Sequence, residues 1–225
     1  GGLADMATFV EGADRLGIHA AWAGEAWGQD AATVLGFLAG RTKRIKLGTG
    51  IMQISARAPA MTAMTSLSLN ALSEGRFLLG LGVSGPQVVE GLHGTPYRMP
   101  LTRPKETVHI CRAAFAGDRL RHDGQMFTLP LPGGEGKALR LDHQPASIPI
   151  YLATLGPKAL HFTGEAADGW LGTSFSPDHP EAHLPFIKSG AEAAGRALDS
   201  IDIAASARVE IGEDLEAMIE RRRPA

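Results

Sequence analysis

Arg76-Phe77-Leu78-Leu79-Gly80-Leu81-Gly82-Val83-Ser84-Gly85-Pro86 is the stretch on which the fold turns, an apolar run that reads as a buried strand ending in a glycine-rich loop. Gly80, Gly82 and Gly85 match the spelling G-x-G-x-x-G, in which glycines allow a tight turn and close approach of backbone to a phosphate. A dinucleotide site also requires a helix directly after the loop and an acidic residue closing a second strand about 20 residues on. The next segment, Glu90-Gly91-Leu92-His93-Gly94-Thr95-Pro96-Tyr97-Arg98-Met99-Pro100, is a loop punctuated by glycine and proline, and Glu90 comes too soon. The glycines must therefore be explained by what surrounds them.

On both sides the chain repeats one theme, an apolar strand followed by an amphipathic helix. Residues 3–16 place Leu3, Met6, Phe9, Val10, Ala13 and Leu16 on one helical face, with Gly17 as the stop. A strand at 20–26 leads to a helix that Asp30 caps and that runs to Ala39; a strand at 45–52 leads to a helix at 60–72 that Pro59 opens. After the glycine-loop strand at 76–84 come a helix at 104–115, a strand at 148–154 and a helix at 157–167. The chain then reads as a strand at 168–174, a helix at about 180–198, a strand at 201–211 and a closing helix at 214–223. Such alternation predicts a parallel sheet covered by helices, either doubly wound or closed into a barrel.

The strand ends choose between the two. They finish in small or polar residues, namely Gly24-Glu25-Ala26, Gly48-Thr49-Gly50, Gly82-Val83-Ser84, Ala153-Thr154 and Thr173-Ser174. A doubly wound sheet gathers its site at one switch point, whereas a (β/α)8 TIM-type barrel brings every strand end to one site. The α/β barrel is therefore expected, as one domain over residues 1–225 with a loop excursion at about 117–147, flexible around 129–137. The count gives six strands and a seventh where the fold needs eight, so the expectation is an incomplete barrel lacking its first strand and last units.

Composition sets the outer limits. The 225 residues are 44% hydrophobic and 20% charged with a net charge of -2, enough for a substantial core and without the basic face that nucleic acid or an anionic membrane would need. Arg221-Arg222-Arg223 is the one dense basic run, read as cations at a helix C-terminus. The single cysteine, Cys111, excludes an internal disulfide and suits a reducing cytoplasm. No stretch reads as a membrane span or a signal peptide.

Five motifs in order resemble one known family. They are Leu47-Gly48-Thr49-Gly50-Ile51-Met52-Gln53, Pro59-Ala60-Met61-Thr62-Ala63, Leu72-Ser73-Glu74-Gly75-Arg76-Phe77, Gly80 to Gln87, and the later run of Ile150-Tyr151-Leu152-Ala153, Gly156-Pro157-Lys158 and Ala166-Ala167-Asp168-Gly169-Trp170-Leu171. Together they resemble the bacterial luciferase-like monooxygenase superfamily, nearest to its branch using the deazaflavin coenzyme F420. The resemblance implies an F420-dependent oxidoreductase passing a hydride to or from a small organic substrate, dimeric when full length. It implies a bulge with a non-proline cis peptide at Gly50-Ile51, behind the ring and next to Thr49. Glu25 would touch the ring or move a proton beside it; its other reading is a rim carboxylate paired with an arginine. Gly82, Val83, Ser84 and Gln87 would line the ring and its polar tail. The amides of Leu155 and Gly156, with Thr154, Thr173 and Ser174, would hold the cofactor phosphate at a helix N-terminus.

Alternatives remain at this level: an FMN-dependent monooxygenase of the same superfamily, a truncated flavin-binding protein without catalysis, or a dimer-forming scaffold. His179 and His183, four apart, do not make a metal site without further ligands, and no metal is expected. His93 reads as a structural loop histidine that could cap a pocket, and Trp22, Trp27 and Trp170 as core or pocket wall.

Overall fold

The computed structural model describes residues 2–206 and 212–221. One parallel sheet contains β1 (Ala20–Ala23), β2 (Lys46–Thr49), β3 (Met52–Gln53) and β4 (Phe77–Gly82). An antiparallel hairpin of β5 (His122–Asp123) and β6 (Thr128–Leu129) intervenes, and β7 (Ile150–Leu152), β8 (Gly169–Gly172) and β9 (Asp202–Ala205) complete the sheet. Its order, β1-β2-β4-β7-β8-β9 with β3 also on β4, is the order of the chain. A doubly wound sheet reverses direction at its switch point; a barrel wall does not, so this is a parallel half-barrel. Among the described residues no pairing joins β1 to β9.

Helices α1 (Leu3–Leu16), α2 (Ala31–Ala39), α3 (Pro59–Leu72), α5 (Thr102–Phe115), α6 (Pro157–Ala166) and α7 (Leu184–Ala193) accompany the sheet, with one-turn α4 (Pro86–Val89) and short α8 (Leu215–Glu220). Their ends obey the sequence. Asp30 accepts from the Thr33 amide at 2.7 Å to start α2, Pro59 opens α3, and Gly17 ends α1 in the left-handed region at φ 80°. The main core lies between helices and sheet, where Leu35, Leu67 and Ile110 meet Phe77, Leu79 and Ile150. Each such side chain contributes about 1.5–3 kcal/mol by burial. A second cluster joins Leu160, Trp170, Ile187, Ala191 and Ile201. Within the barrel, Trp22 of β1 and Tyr151 of β7 meet edge to face at 5.0 Å although their strands are not neighbours. Burial, then the Asp202 carboxylate 2.7 Å away, pushes the Tyr151 phenol above its ordinary range, so it stays a neutral donor.

The wall contains one irregularity, and the glycine spelling belongs to it. Leu47 opposes Phe77 and Gly48 opposes Leu78, an offset of 30, whereas Met52 opposes Leu81 and Gln53 opposes Gly82, an offset of 29. Three residues, 49–51, thus face two, 79–80, which defines a bulge. The Gly50-Ile51 peptide within it is cis, as the resemblance implied. The extra residue removes the ladder partners of Gly80, and the Thr49 hydroxyl replaces both: it donates to the Gly80 carbonyl at 2.8 Å and accepts from the Gly80 amide at 2.9 Å. A Cβ on Gly80 would stand 1.8 Å from the Thr49 carbonyl oxygen, and one on Gly82 would stand 2.6 Å from the Ile51 side chain. These glycines make room for the bulge, not for a dinucleotide.

Several expectations are corrected. On α1 the buried residues are Ala7, Val10 and Asp14, while Phe9 and Leu16 are 77% and 84% exposed. The Asp14 carboxylate sets that rotation by accepting from the amides of Lys43, Arg44 and Ile45 at 3.0, 2.9 and 2.6 Å. The helix expected at about 180–198 is shorter, a 3-10 turn at Pro180–Ala182 followed by α7. A helix does succeed the glycine loop, but α4 lasts one turn and no second dinucleotide strand comes after it. The excursion contains the β5-β6 hairpin, which Glu106 of α5 ties down by accepting from the amides of Gln125, Met126 and Phe127 at 2.7–3.2 Å. Residues 207–211 of the last expected strand, and Arg222 and Arg223 of the basic run and closing helix, lie outside the described residues.

Two stability measurements check these contacts. Thr49→Val keeps the shape but strands a buried amide and carbonyl, and urea unfolding should show a loss of about 1–3 kcal/mol, with Thr49→Ser close to wild type. Burial alone raises the Glu106 carboxyl, but the Phe127, Gln125 and Met126 amides and His122 more than offset it and hold it below its ordinary value. A lowered carboxyl stabilises above its unfolded value of about 4.3 and loses that contribution as pH falls through the folded value. The stability gap between wild type and Glu106→Gln should therefore be full at neutral pH, shrink from about pH 5 downward and vanish in stronger acid.

Candidate functional site

A cavity of about 1310 Å³ opens over the carboxyl ends of β1, β2, β4, β7 and β8. Barrel strand ends converge there, so residues far apart in sequence share one wall. Gly50, Ile51, Gly82, Val83 and Ser84 form its middle, with Leu81 and Leu152 as apolar floor. Thr154, Leu155, Gly156 and Thr173 line one side, and Glu25 the other.

Three expected residues are not part of that wall. Thr49 is fully buried behind it, spent on the Gly80 backbone. Gln87 sits exposed on α4, and Ser174 lies exposed beyond the end of β8, where strand alternation no longer directs it inward. Trp27, Tyr97, Leu101 and Phe162 line the cavity instead. Of these only Trp27 was legible as pocket wall; Tyr97 and Leu101 come from the loop after β4, and an aromatic in a barrel loop was the available signal. Trp170 is core, its indole donating to the Thr154 carbonyl at 2.9 Å. His93 is exposed and off the cavity.

Glu25 occupies the second of its two possible roles. Arg57 grips its carboxylate with two bonds of 2.6 and 2.8 Å, and the amides of Gln53 and Ala31 add bonds of 2.9 and 3.3 Å, so each oxygen accepts two. Asp30, while capping α2, also pairs with Arg57. The Glu25 hydrogen bond, against burial, drives the Arg57 guanidinium above its ordinary value. Burial would raise the Asp30 carboxyl, but its Thr33 and Arg57 partners outweigh that and hold it low. Behind this network the buried Gln53 side chain donates to the Glu25 carbonyl at 2.9 Å, and the Glu25 amide donates to the Ile51 carbonyl at 3.2 Å. A carboxylate so fully engaged fixes the bulge against β1.

At the other side Gly156 caps α6 and Pro157 takes its first position. The amides of Leu155 and Gly156 donate to no acceptor among the described residues, leaving the positive end of α6 facing the cavity. The Thr154 hydroxyl is turned away: Thr163 spends its own proton on the Ala159 carbonyl, so Thr154 donates to Thr163 at 2.7 Å. Cys111 is no nucleophile, because burial pushes its thiol up to about 12. No metal-holding cluster occurs among the described residues; His183 packs on Trp170 and Phe175 instead. Nor is any described helix long and apolar enough to cross a membrane.

The strand ends of the half-barrel thus surround an apolar floor, a bulge and a helix terminus whose amides have no acceptor among the described residues. The model of the luciferase-like monooxygenase family matches residues 1–225, and the chain belongs to that family. It is 40% identical over 217 residues to a Mycobacterium tuberculosis protein named "Putative coenzyme F420-dependent oxidoreductase Rv3520c", covering 92% of this chain and 62% of that protein. It is 34% identical over 210 residues to the 5,10-methylenetetrahydromethanopterin reductase of Methanolobus tindarius, covering 93% and 62%. Among solved structures, the coenzyme F420-dependent tetrahydromethanopterin reductase of Methanopyrus kandleri superposes with a TM-score of 0.80 at 27% identity, over 91% of this chain and 62% of that one. The chain thus spans about 62% of the length of these relatives.

The ion network gives a direct test. Arg57→Met leaves the Glu25 carboxylate with two amides and no cation, and unfolding should show a loss of about 2–3 kcal/mol, larger than for Glu25→Gln with Arg57 intact.

Proposed function

We propose that this chain carries the F420 site of a deazaflavin-dependent oxidoreductase. The observation behind this reading is the pairing of the bulge at Gly50 and Ile51 with the unspent amides of Leu155 and Gly156 across one cavity, in a chain whose relatives include F420-dependent enzymes. When bound, reduced F420 would supply a hydride from C5 of its ring to a small organic acceptor, and in the reverse direction oxidised F420 would accept one at C5. The residues' part is binding and orientation. Ile51 would support the ring from behind, Gly82, Val83 and Ser84 would flank it, and the apolar floor would keep water from the reacting face. The amides of Leu155 and Gly156, with the Thr173 hydroxyl nearby, would hold the phosphate. Glu25 would position the bulge through Arg57 and Gln53. The reading takes residues 1–225 as one barrel-type domain with its excursion at about 117–147, in a cytoplasmic homodimer.

Titration with F420, FMN and FAD, followed by absorbance and fluorescence, tests this. F420 alone should bind in the micromolar range; FMN binding instead would favour the monooxygenase reading and overturn this one. Gly156→Pro deletes one donor. It should weaken F420 binding about tenfold or more, the value of one charge-assisted hydrogen bond. Gly156→Ala should bind nearly as wild type, because nothing lies within 4 Å of the added Cβ. Equal affinity in the proline variant would place the phosphate elsewhere.

A further inference from the structure

Four large apolar side chains line the main cavity and are nonetheless exposed: Trp27 at 81%, Leu155 at 62%, and Tyr97 and Leu101. Pinned backbone displays each of them. Trp27 belongs to the turn between Glu25 and Asp30, and the one guanidinium of Arg57 binds both of those carboxylates. Asp30 is fixed again as the cap of α2. Residues 26–29 alone separate the two anchors, so the turn is tied at both ends and Trp27 has no slack with which to fold back onto the core. On the β4 side the Tyr97 amide donates to the Glu90 carboxylate at 3.0 Å, and Leu101 is the residue before the first turn of α5. Leu155 directly precedes Gly156, the cap of α6.

Single exposed apolar side chains are ordinary, whereas a set of them rimming a concavity marks a binding site. A flat protein surface laid across this rim would leave the hollow beneath it unfilled, against the close packing that stable contacts require. The hollow is also larger than one ligand needs: a pocket for a drug-sized molecule measures about 300–1,000 Å³, against about 1310 Å³ here. Room for a second molecule therefore remains beside a bound ring. Charge on this wall belongs to other contacts. Among the described residues that line the cavity, Glu25 and Lys158 are the charged ones; Glu25 is paired with Arg57, and Lys158 lies in the first turn of α6, next to the amides proposed for the phosphate. A charged substrate would give up its hydration for a rim that offers no counter-charge, while a neutral apolar one gains from every rim contact.

We propose that Trp27, Tyr97, Leu101 and Leu155 form the recognition rim for the substrate, and that the substrate is a neutral compound whose ring or hydrocarbon portion packs against them. Arg57 is then a positioning residue for Trp27. This rests on the reading of the cavity as the F420 site.

The test uses the full chain loaded with oxidised F420 and three probes: cyclohexylacetone, its anionic counterpart cyclohexylacetate, and glucose. In calorimetric titrations cyclohexylacetone should bind about tenfold or more tighter than either of the others. Trp22 is half-buried and Trp170 fully buried, so Trp27 is the tryptophan most open to acrylamide, and cyclohexylacetone should shield its emission from quenching. Trp27→Ala should weaken cyclohexylacetone binding about tenfold, the scale of burying one aromatic side chain, and Trp27→Phe should retain most of it. Leu101→Ser should weaken it by a smaller factor. Both positions are exposed, so these variants should fold and bind F420 as the unaltered chain does. Equal binding of the three probes, or unchanged cyclohexylacetone binding in Trp27→Ala or Leu101→Ser, would overturn the proposal. So would a tenfold loss of F420 affinity in Trp27→Ala, which would give the rim to the cofactor, or self-association in sedimentation that Trp27→Ala abolishes, which would give it to a second copy of the chain. Failure of the unaltered chain to bind F420 would instead overturn the cofactor reading, and the acrylamide response to cyclohexylacetone would still report on the rim.

Discussion

One residue too many in the second barrel strand shapes everything around it. Where 49–51 run opposite 79–80, the ladder cannot continue, and the backbone of Gly80 loses its partners on that side. A parallel sheet buried on both faces has no water to replace them. The Thr49 hydroxyl is placed to do so, one oxygen serving as donor and acceptor. The bulge then pushes Ile51 into the space at the top of the wall, and Gly80 and Gly82 are the residues that leave it room.

The bulge is held from the opposite side by charge. Glu25, at the end of the first strand, binds Arg57, the Gln53 amide and the Ala31 amide, so β1, the segment after the bulge and the start of α2 are tied at one carboxylate. Asp30 extends the same knot into the α2 cap. Because each group satisfies several others, the network is stiff, and stiffness is what a surface that orients a ring must have. Under the proposed F420 reading, the chemistry would be left to the cofactor and the chain would contribute a fixed shape.

The loop after β4 shows where reading the chain meets its limit. Its glycines and prolines announce a loop, but not that Tyr97 and Leu101 fold back over the cavity or that Arg98 and Arg103 end beside Ser55. Those contacts join residues more than forty positions apart, from 55 to 98, and no local pattern encodes them. Helix α1 is a similar case. Its apolar residues suggested one face, yet Asp14, bonded to three amides of the following turn, fixed another and left Phe9 and Leu16 outside. A single multiply bonded carboxylate outweighs two exposed apolar side chains in orienting a helix.

By itself the sequence determined the alternation of strands and helices, the barrel sense of their order, the caps at Asp30, Pro59 and Gly17, and the motifs that identify the family. Each is a local matter of period, dihedral preference or spacing along the chain. It also marked Gly50 and Ile51, Gly82 to Ser84, and Leu155 and Gly156 as neighbours of one site, since barrel strand ends must converge. Tertiary structure alone decided that Thr49 serves the backbone, that Gln87 and Ser174 stand apart from the cavity, and that Glu25 is spent on Arg57. The reason is that a side chain's task depends on which partners reach it first in space, and those partners come from other strands.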